Sequence, residues 1–127
     1  QGRTEEAFRL LQEWADRKPD ATDPKIELAR LYEESGDRDR AKLLLGDALL
    51  ADASNARALA ALGRLREQEG DRTQALNNYQ QSLRANRFQP EVASRASALQ
   101  SSLGGTYAGN GSSGGSMMVS RDGGAVR

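Results

Sequence analysis

The sequence predicts an all-α protein, an α/α superhelix in which about six helices stack as antiparallel pairs, followed by a flexible C-terminal tail. The first observation is a repeat, because LARLYEESGDRDRA at Leu28 to Ala41 returns thirty-four residues later as LGRLREQEGDRTQA at Leu62 to Ala75. The second is a set of glycines with the same 34-residue spacing, namely Gly2, Gly36, Gly70 and Gly104. The third is that apolar residues recur at three- and four-residue steps, as on one face of a helix. A repeat of this length is typical of a solenoid built from helix pairs.

Composition agrees with a stacked repeat better than with one large core. Of the 127 residues, 37% are hydrophobic and only 5% are aromatic, which is little material for a single globular core. A repeat stack can manage with less, because each unit packs only against its neighbours.

Charge and residue types exclude several classes of function. Lys+Arg and Asp+Glu both number 18, so there is no net field to attract nucleic acid or an anionic membrane. Cys and His are absent from the sequence, which removes disulfides, thiol nucleophiles, zinc sites built from Cys or His, and triads that need an imidazole. We therefore expect no enzyme, no catalytic residue, no metal and no cofactor.

The sequence shows no segment that would direct the chain to a membrane. No apolar run approaches the length of a membrane span, and no signal peptide is visible. This pattern favours a soluble, cytoplasmic protein, although the sequence does not name a compartment. Because the chain starts at Gln1 without a Met, we interpret it as a fragment or a processed product.

The first two helices are predicted from apolar stripes and stop signals. Arg3 to Arg17 has a helical pattern, and Lys18-Pro19 ends it because the residue before Pro is driven out of the helical region. A second helix starts near Asp23-Pro24, since Asp is a good N-cap and Pro is tolerated in the first turn. Gly36 ends this helix with a left-handed turn, and Asp37 can cap the next one.

The remaining four helices follow the same signals. The third spans about Arg38 to Ala51, the fourth about Ala56 to Glu69 with Gly70 as its stop, and the fifth about Arg72 to Asn86. Pro90 opens the sixth helix, and Gly104-Gly105 closes the folded part. Small residues are predicted where helices cross closely: Ala29, Ala41, Ala48, Gly63, Ala75 and Ser82.

The 34-residue spacing divides the chain into repeat units and a tail. Residues 1–104 form a helical repeat domain made of half a repeat (2–21), two full repeats (22–55 and 56–89) and a final helix (90–104). Residues 105–127 are rich in Gly and Ser and cannot bury enough surface to offset their ordering entropy, so we predict a flexible tail. The alternative for this tail is a short linear motif around Met117-Met118-Val119.

These positions resemble the tetratricopeptide repeat (TPR), a helix-turn-helix unit of 34 residues with the pattern W-x2-L-G-x2-Y…A-x3-F…P. Arg66 departs from the pattern by replacing the Tyr of the second full repeat, and Trp14 stands where Ala is usual. Lys25 stands where a large apolar residue is preferred, and Ala53 and Arg87 replace the closing Pro of the two full repeats. The packing positions that fit are Leu28, Ala29, Tyr32, Ala41, Leu45 and Ala48, then Leu59, Leu62, Gly63, Ala75, Tyr79 and Ser82.

The resemblance implies a protein-interaction scaffold that binds a peptide segment or a partner helix on its concave face. Arg30 and Arg64 are equivalent in the two full repeats and would form a ladder able to grip a carboxylate with two hydrogen bonds. The alternative is that Glu33 and Glu67, three residues further along the same helices, neutralise them as surface pairs. In the family the first helix of each pair lines the concave face, which carries over here to Ile26, Glu27, Arg30, Arg57, Ala61, Arg64 and Arg95.

A structural spacer in a larger solenoid or multidomain protein, with no ligand of its own, is the alternative function. Chaperone-binding members of the family hold a C-terminal carboxylate in a clamp of Lys and Asn side chains. Of the clamp positions here only Arg95 matches, because the others hold Ile26, Arg30, Ala61 and Glu91. That specific function is therefore disfavoured, and the identity of the protein or peptide partner is left open.

The first helix predicts a second interaction surface. Gly2 falls at the turn between the two helices of a repeat, so the helix after it is a second helix without its own first helix. Phe8, Leu11 and Trp14 then carry apolar area that the stack does not bury, and such a patch marks an interface. We expect an upstream helix or self-association to cover this patch. The alternative is that Trp14 folds over the first full repeat as a cap.

Overall fold

The computed structural model describes residues 2–108, and within this range every regular element is a helix. The predicted all-α architecture is thereby confirmed. Residues 109–127, which include most of the predicted tail and its Met-Met-Val segment, lie outside the described residues. The six helices are α1 (Gly2–Arg17), α2 (Asp23–Glu34), α3 (Arg38–Ala51), α4 (Ala56–Gln68), α5 (Arg72–Ala85) and α6 (Pro90–Ala108).

Each helix packs against the next along the chain, and α2 also contacts α4 directly. One core cluster lies among α2, α3 and α4 and includes Ile26, Leu45 and Leu65. A second cluster lies between α5 and α6 and is built around Tyr79 and Leu99. Neighbouring repeat units therefore share their apolar surfaces, as a solenoid requires. The small residues predicted at the crossings are all buried: Ala29, Ala41, Ala48, Gly63, Ala75 and Ser82.

The turns inside the two full repeats are identical in design. Gly36 has φ +90° and Gly70 has φ +85°, a left-handed conformation that glycine adopts without the penalty of a Cβ. The next residue, Asp37 or Asp71, donates its backbone N–H to the carbonyl of the residue five positions earlier, at 2.8 and 2.9 Å. The same two aspartates cap the following helices through their carboxylates. The predicted stops at Gly36 and Gly70 and the predicted Asp37 cap are therefore confirmed, and Asp71 forms the same cap in the second full repeat.

The start of α2 differs from the prediction. Asp23 is already helical, and Thr22 is the N-cap residue, without a side-chain cap bond. The hydroxyl of Thr22 instead accepts a hydrogen bond at 3.2 Å from Asn55, which itself caps α4 by accepting from the Ala58 N–H. Asp23 therefore lies inside the first turn, and its carboxylate contacts Arg57 of α4 at 3.4 Å. The expected Asp23 cap is thus wrong, and the Asn55 cap was not anticipated.

The last helix continues to Ala108, four residues beyond the predicted stop at Gly104. Unlike Gly36 and Gly70, Gly104 does not adopt a positive φ. A glycine in a helix costs only about 1 kcal/mol relative to alanine. A glycine therefore ends a helix only where the chain makes a turn. The pair Gly104-Gly105 does not by itself define the end of α6.

Candidate peptide-binding groove

The first helices of successive units, α2, α4 and α6, border a continuous groove. A cleft of about 590 Å³ lies between α4 and α6, and a second of about 290 Å³ lies between α2 and α4 and reaches the start of α6. The two clefts adjoin because both are lined by four of the same residues, Ala60, Arg64, Glu91 and Val92. We call this surface the inner groove.

Small apolar side chains line part of the inner groove. Ala60, Ala61 and Val92 are partly exposed there, so a ligand can contact their methyl groups. Ile26 also lines the groove but is only 6% exposed and belongs to the core cluster. Its contribution is mainly to packing, so Ala61 and not Ile26 is the apolar residue of the predicted set that offers surface.

Arg64 is bound across the groove by a carboxylate of the preceding unit. Its Nε and Nη2 donate to the two oxygens of Glu33 at 2.9 and 2.8 Å, and Gln68 donates to the same carboxylate at 2.8 Å. The Glu33 side chain is only 13% exposed. The hydrogen bond from Arg64 holds the pKa of Glu33 below its usual value, against the opposing effect of burial. The same bond raises the pKa of Arg64.

Glu27 is the centre of a second group of ion pairs. Arg57 donates to Glu27 at 2.6 Å and approaches Asp23 at 3.4 Å, so that it also joins α4 to α2. Arg30 donates to Glu27 at 3.1 Å and to Glu34 at 2.8 Å within its own helix. Burial by itself would raise the pKa of Glu27, but the hydrogen bonds from Arg57 and Arg30 outweigh it, and the net pKa is lowered.

Glu67 holds a third group at the α4 and α6 end. Arg95 donates both Nε and Nη2 to the Glu67 carboxylate, and the Tyr79 hydroxyl donates to it at 2.9 Å. Burial, with the hydrogen bond to Glu67, raises the pKa of Tyr79 to about 12. The phenol therefore stays protonated, and the pKa of Arg95 is raised by its bond to Glu67.

Within the described part of the chain, a carboxylate binds each of the four arginines predicted for the concave face, Arg30, Arg57, Arg64 and Arg95. The sequence suggested that Glu33 and Glu67 would neutralise the arginines of their own helices. The structure instead pairs Glu33 with Arg64, 31 residues away, and Glu67 with Arg95, 28 residues away. Glu91 differs from the groove's other charges, because within residues 2–108 it makes no hydrogen bond or ion pair and acts on Arg64 only through its charge.

The predicted N-terminal surface is only partly covered. Phe8 packs on Tyr32 with ring centroids 4.9 Å apart, and Leu11 is half-buried. Trp14 is 43% exposed, so it does not close over the stack as a cap. Leu10, which the sequence analysis did not select, is 52% exposed. Its position four residues before Trp14 is the signal that could have identified it.

Neither a metal cluster nor a membrane-spanning helix is present in residues 2–108. No three His, Cys, Asp or Glu side chains in this range are grouped so that they could hold a metal ion. Of the six helices, none is long and apolar enough to cross a bilayer.

Stacked helix pairs with glycine turns and a groove lined by their first helices define a helical-repeat protein. Sequence comparison then identifies the family. One family profile described as tetratricopeptide repeat matches residues 1–65, and a second with the same description matches residues 58–91. The chain belongs to the tetratricopeptide repeat family. No curated protein sequence matches it significantly.

Solved structures share the fold at low sequence identity. The first TPR of Spaghetti (RPAP3), bound to the HSP90 peptide SRMEEVD, has a TM-score of 0.73 at 18% identity, with 82% of each chain covered. A crystal structure of MamA has a TM-score of 0.69 at 18% identity, covering 81% of this chain and 60% of the MamA chain. A second MamA structure has a TM-score of 0.68, also at 18% identity, covering 81% of this chain and 56% of its own.

Proposed function

We propose that the protein is an interaction scaffold whose inner groove holds an extended peptide segment. The observation that carries this proposal is the continuity of the two clefts across α2, α4 and α6. The tetratricopeptide repeat fold and the peptide held by the RPAP3 neighbour support a protein-interaction module in general. Modules of this kind are typically not enzymes. A modest affinity, on the order of micromolar or about 8 kcal/mol, is expected for such a ligand.

The charges of the groove favour a ligand with a cationic side chain. Its lining and rim carry four arginines and five glutamates, and each of the arginines is already bound by a carboxylate. Glu91 is the groove carboxylate without a hydrogen bond or an ion pair among the described residues, although its charge acts on Arg64, and it lies beside the apolar side chains of Ala60 and Val92. A Lys or Arg next to a small apolar residue complements this arrangement. An acidic peptide would have to displace an existing ion pair to reach an arginine.

Two peptides of matched length and opposite charge test the preference. We suggest SRMEEVD, the acidic peptide bound by the RPAP3 neighbour, and a basic counterpart, SRMKKVK, in which lysine replaces its three acidic residues, each with a fluorescent label. Fluorescence anisotropy should show tighter binding of the basic peptide, and Glu91→Lys should remove its advantage. Tighter binding of SRMEEVD would contradict the proposed chemistry.

A bulky residue in the groove tests the location of binding. Ala60→Trp should fill the space between α4 and α6 and weaken the basic peptide. Ala51→Trp places the same side chain at an exposed position of α3 and is the matched control. Peptides selected from a random library extend the test beyond the two designed sequences. If Ala60→Trp leaves every selected peptide bound as before, the groove is not the site.

The spacer function has an observation of its own. The pairs Glu33 with Arg64 and Glu67 with Arg95 join first helices of successive units, which stiffens the stack whether or not a ligand binds. A spacer would yield no library peptide whose binding depends on Ala60. The library experiment therefore distinguishes the two functions.

A further inference from the structure

We propose that the outer stripe of α1 pairs with the same stripe of a second copy, with the two helices antiparallel. The outer stripe consists of Ala7, Leu10 and Trp14 and is flanked on one side by Glu6 and Arg17. This surface is separate from the inner groove, and its occupant is a second copy of this chain.

The helix α1 has two apolar sides, and the stack covers only one of them. Phe8 lies on the side that packs on α2, and Leu11, about 60° from Phe8 around the helix axis, is half-buried. At 3.6 residues per turn, Trp14 lies about 40° around the helix axis from Leu10, whereas Phe8 lies about 160° away. Leu10 is 52% exposed and Trp14 is 43% exposed, and no residue of α1 is buried. An apolar stripe of this kind usually marks an interface.

The outer stripe is self-complementary when two copies of α1 lie antiparallel. A twofold axis near Gln12 brings Leu10 against Trp14 of the second copy, because these residues lie two positions on either side of it. Each leucine then covers an indole, and the contact is repeated by symmetry. Such an isologous interface closes at two copies and does not propagate into a filament.

Charge on the flank supports the same alignment. Glu6 and Arg17 lie about 40° and 20° from Leu10, both on the side away from Trp14. In the antiparallel pair this flank meets the same flank of the other copy, so Glu6 faces Arg17 and Arg17 faces Glu6. Arg17 has no hydrogen bond or ion pair within residues 2–108, and Glu6 has only a 3.8 Å contact with Arg9. Both groups are available for a partner.

The size of the surface sets the strength of the association. A helix of 16 residues is about 24 Å long at 1.5 Å per residue. One such face is smaller than the roughly 800 Å² per partner of a standard stable interface. The dimer is therefore weak and forms as the concentration rises through the micromolar range.

Sedimentation and fluorescence can be measured on the same samples. The chain contains one tryptophan, so its emission reports Trp14 alone. On increasing concentration the wild type should shift from the monomer mass of 13.7 kDa to twice that mass, with a blue shift of the emission. Leu10→Ser should weaken the dimer at least about tenfold. Leu43→Ser, which removes a leucine that is 71% exposed on α3, is the matched control and should leave it unchanged.

Charge reversal tests the antiparallel alignment. Glu6→Arg and Arg17→Glu should each weaken the dimer about tenfold, because each places like charges together. The double variant Glu6→Arg, Arg17→Glu should restore it. Circular dichroism confirms that each variant keeps its helices. A wild type that stays monomeric with unchanged Trp14 emission would overturn the proposal and leave the stripe to a different protein. A dimer that Leu10→Ser does not affect, or that the double variant does not restore, would overturn it as well.

Discussion

Gly63 lies directly against the ring of Tyr79. A Cβ added at Gly63 would stand 2.8 Å from the Tyr79 ring carbons Cδ1 and Cε1 and 3.3 Å from the carbonyl oxygen of Ala75. The first full repeat has Ala29 and Leu45 at the equivalent positions, thirty-four residues earlier. Gly63 on α4 is smaller than Ala29, and Tyr79 on α5 is larger than Leu45. The smaller residue compensates for the larger one, so the two helices of the second repeat still cross closely.

Gly63→Ala should destabilise the fold by about 1 to 3 kcal/mol, because the added methyl overpacks the crossing. The Tyr79 ring cannot move away easily, since its hydroxyl is bonded to Glu67. The double variant Gly63→Ala, Tyr79→Leu recreates the pair of the first repeat and should be less destabilised than the two single changes predict when added. Urea unfolding of all four proteins measures this coupling. If the losses of unfolding free energy of the two single variants simply add, the contact with Tyr79 is not the reason why position 63 requires glycine.

Tyr79 should also be visible as a late step in a titration of the tyrosines. Its pKa is raised from 10 to about 12 by burial and by the bond to Glu67. A group whose folded pKa is raised contributes stability that is complete below its unfolded pKa, so this contribution is lost as the pH rises from about 10 to 12. Phenolate absorbance of the three tyrosines should show one late transition that Tyr79→Phe removes. If the transition that Tyr79→Phe removes lies near pH 10 in a chain that is still helical, the proposed environment is contradicted.

Glu33 should contribute to stability in a way that depends on acid pH. Its folded pKa lies below the ordinary value of 4.5 because of Arg64. Its contribution is therefore present above about pH 4.5 and is lost as the pH falls through the folded pKa. Glu33→Gln should cost about 1 kcal/mol at neutral pH, a modest value because Arg64 is half exposed, and progressively less as the pH falls below 4.5.

The matched control for this prediction is Glu34→Gln. Glu34 pairs with Arg30 on the same helix, and both side chains are more than half exposed. A pair of this type contributes only a few tenths of a kcal/mol. If urea unfolding at neutral pH shows the same loss of unfolding free energy for both variants, the contact of Glu33 with Arg64 stabilises the fold no more than an exposed ion pair does.

The sequence predicted the repeat, the turns and the small residues because each depends on local or periodic signals. Gly36 and Asp37 are recognisable from their own conformational and capping preferences. The partner of Arg64 was not predictable in the same way. Spacing along one helix shows which residues are neighbours on that helix, whereas the position of Glu33 opposite Arg64 depends on how α4 is rotated and shifted relative to α2. The same limitation explains why Ile26 was selected as a surface residue although it packs into the core.

Asn78 offers a route to a more stable protein. It is 8% exposed, and its side-chain oxygen Oδ1 is buried without a hydrogen-bond partner among the described residues. An unsatisfied buried polar group costs about 1 to 3 kcal/mol. The equivalent residue of the first full repeat, thirty-four positions earlier, is Leu44, which packs against the core.

Asn78→Leu should therefore raise the free energy of unfolding by about 1 kcal/mol, because it removes the unpaired oxygen and adds apolar contact. Asn77→Leu makes the same chemical change at the neighbouring, exposed position and should alter stability by less than about 0.5 kcal/mol. Urea unfolding with a common m-value separates the two. If Asn78→Leu lowers the stability, the space around residue 78 is too small for leucine. The surroundings of residue 78 and of Leu44 would then differ in shape, although the two positions are equivalent in the repeat.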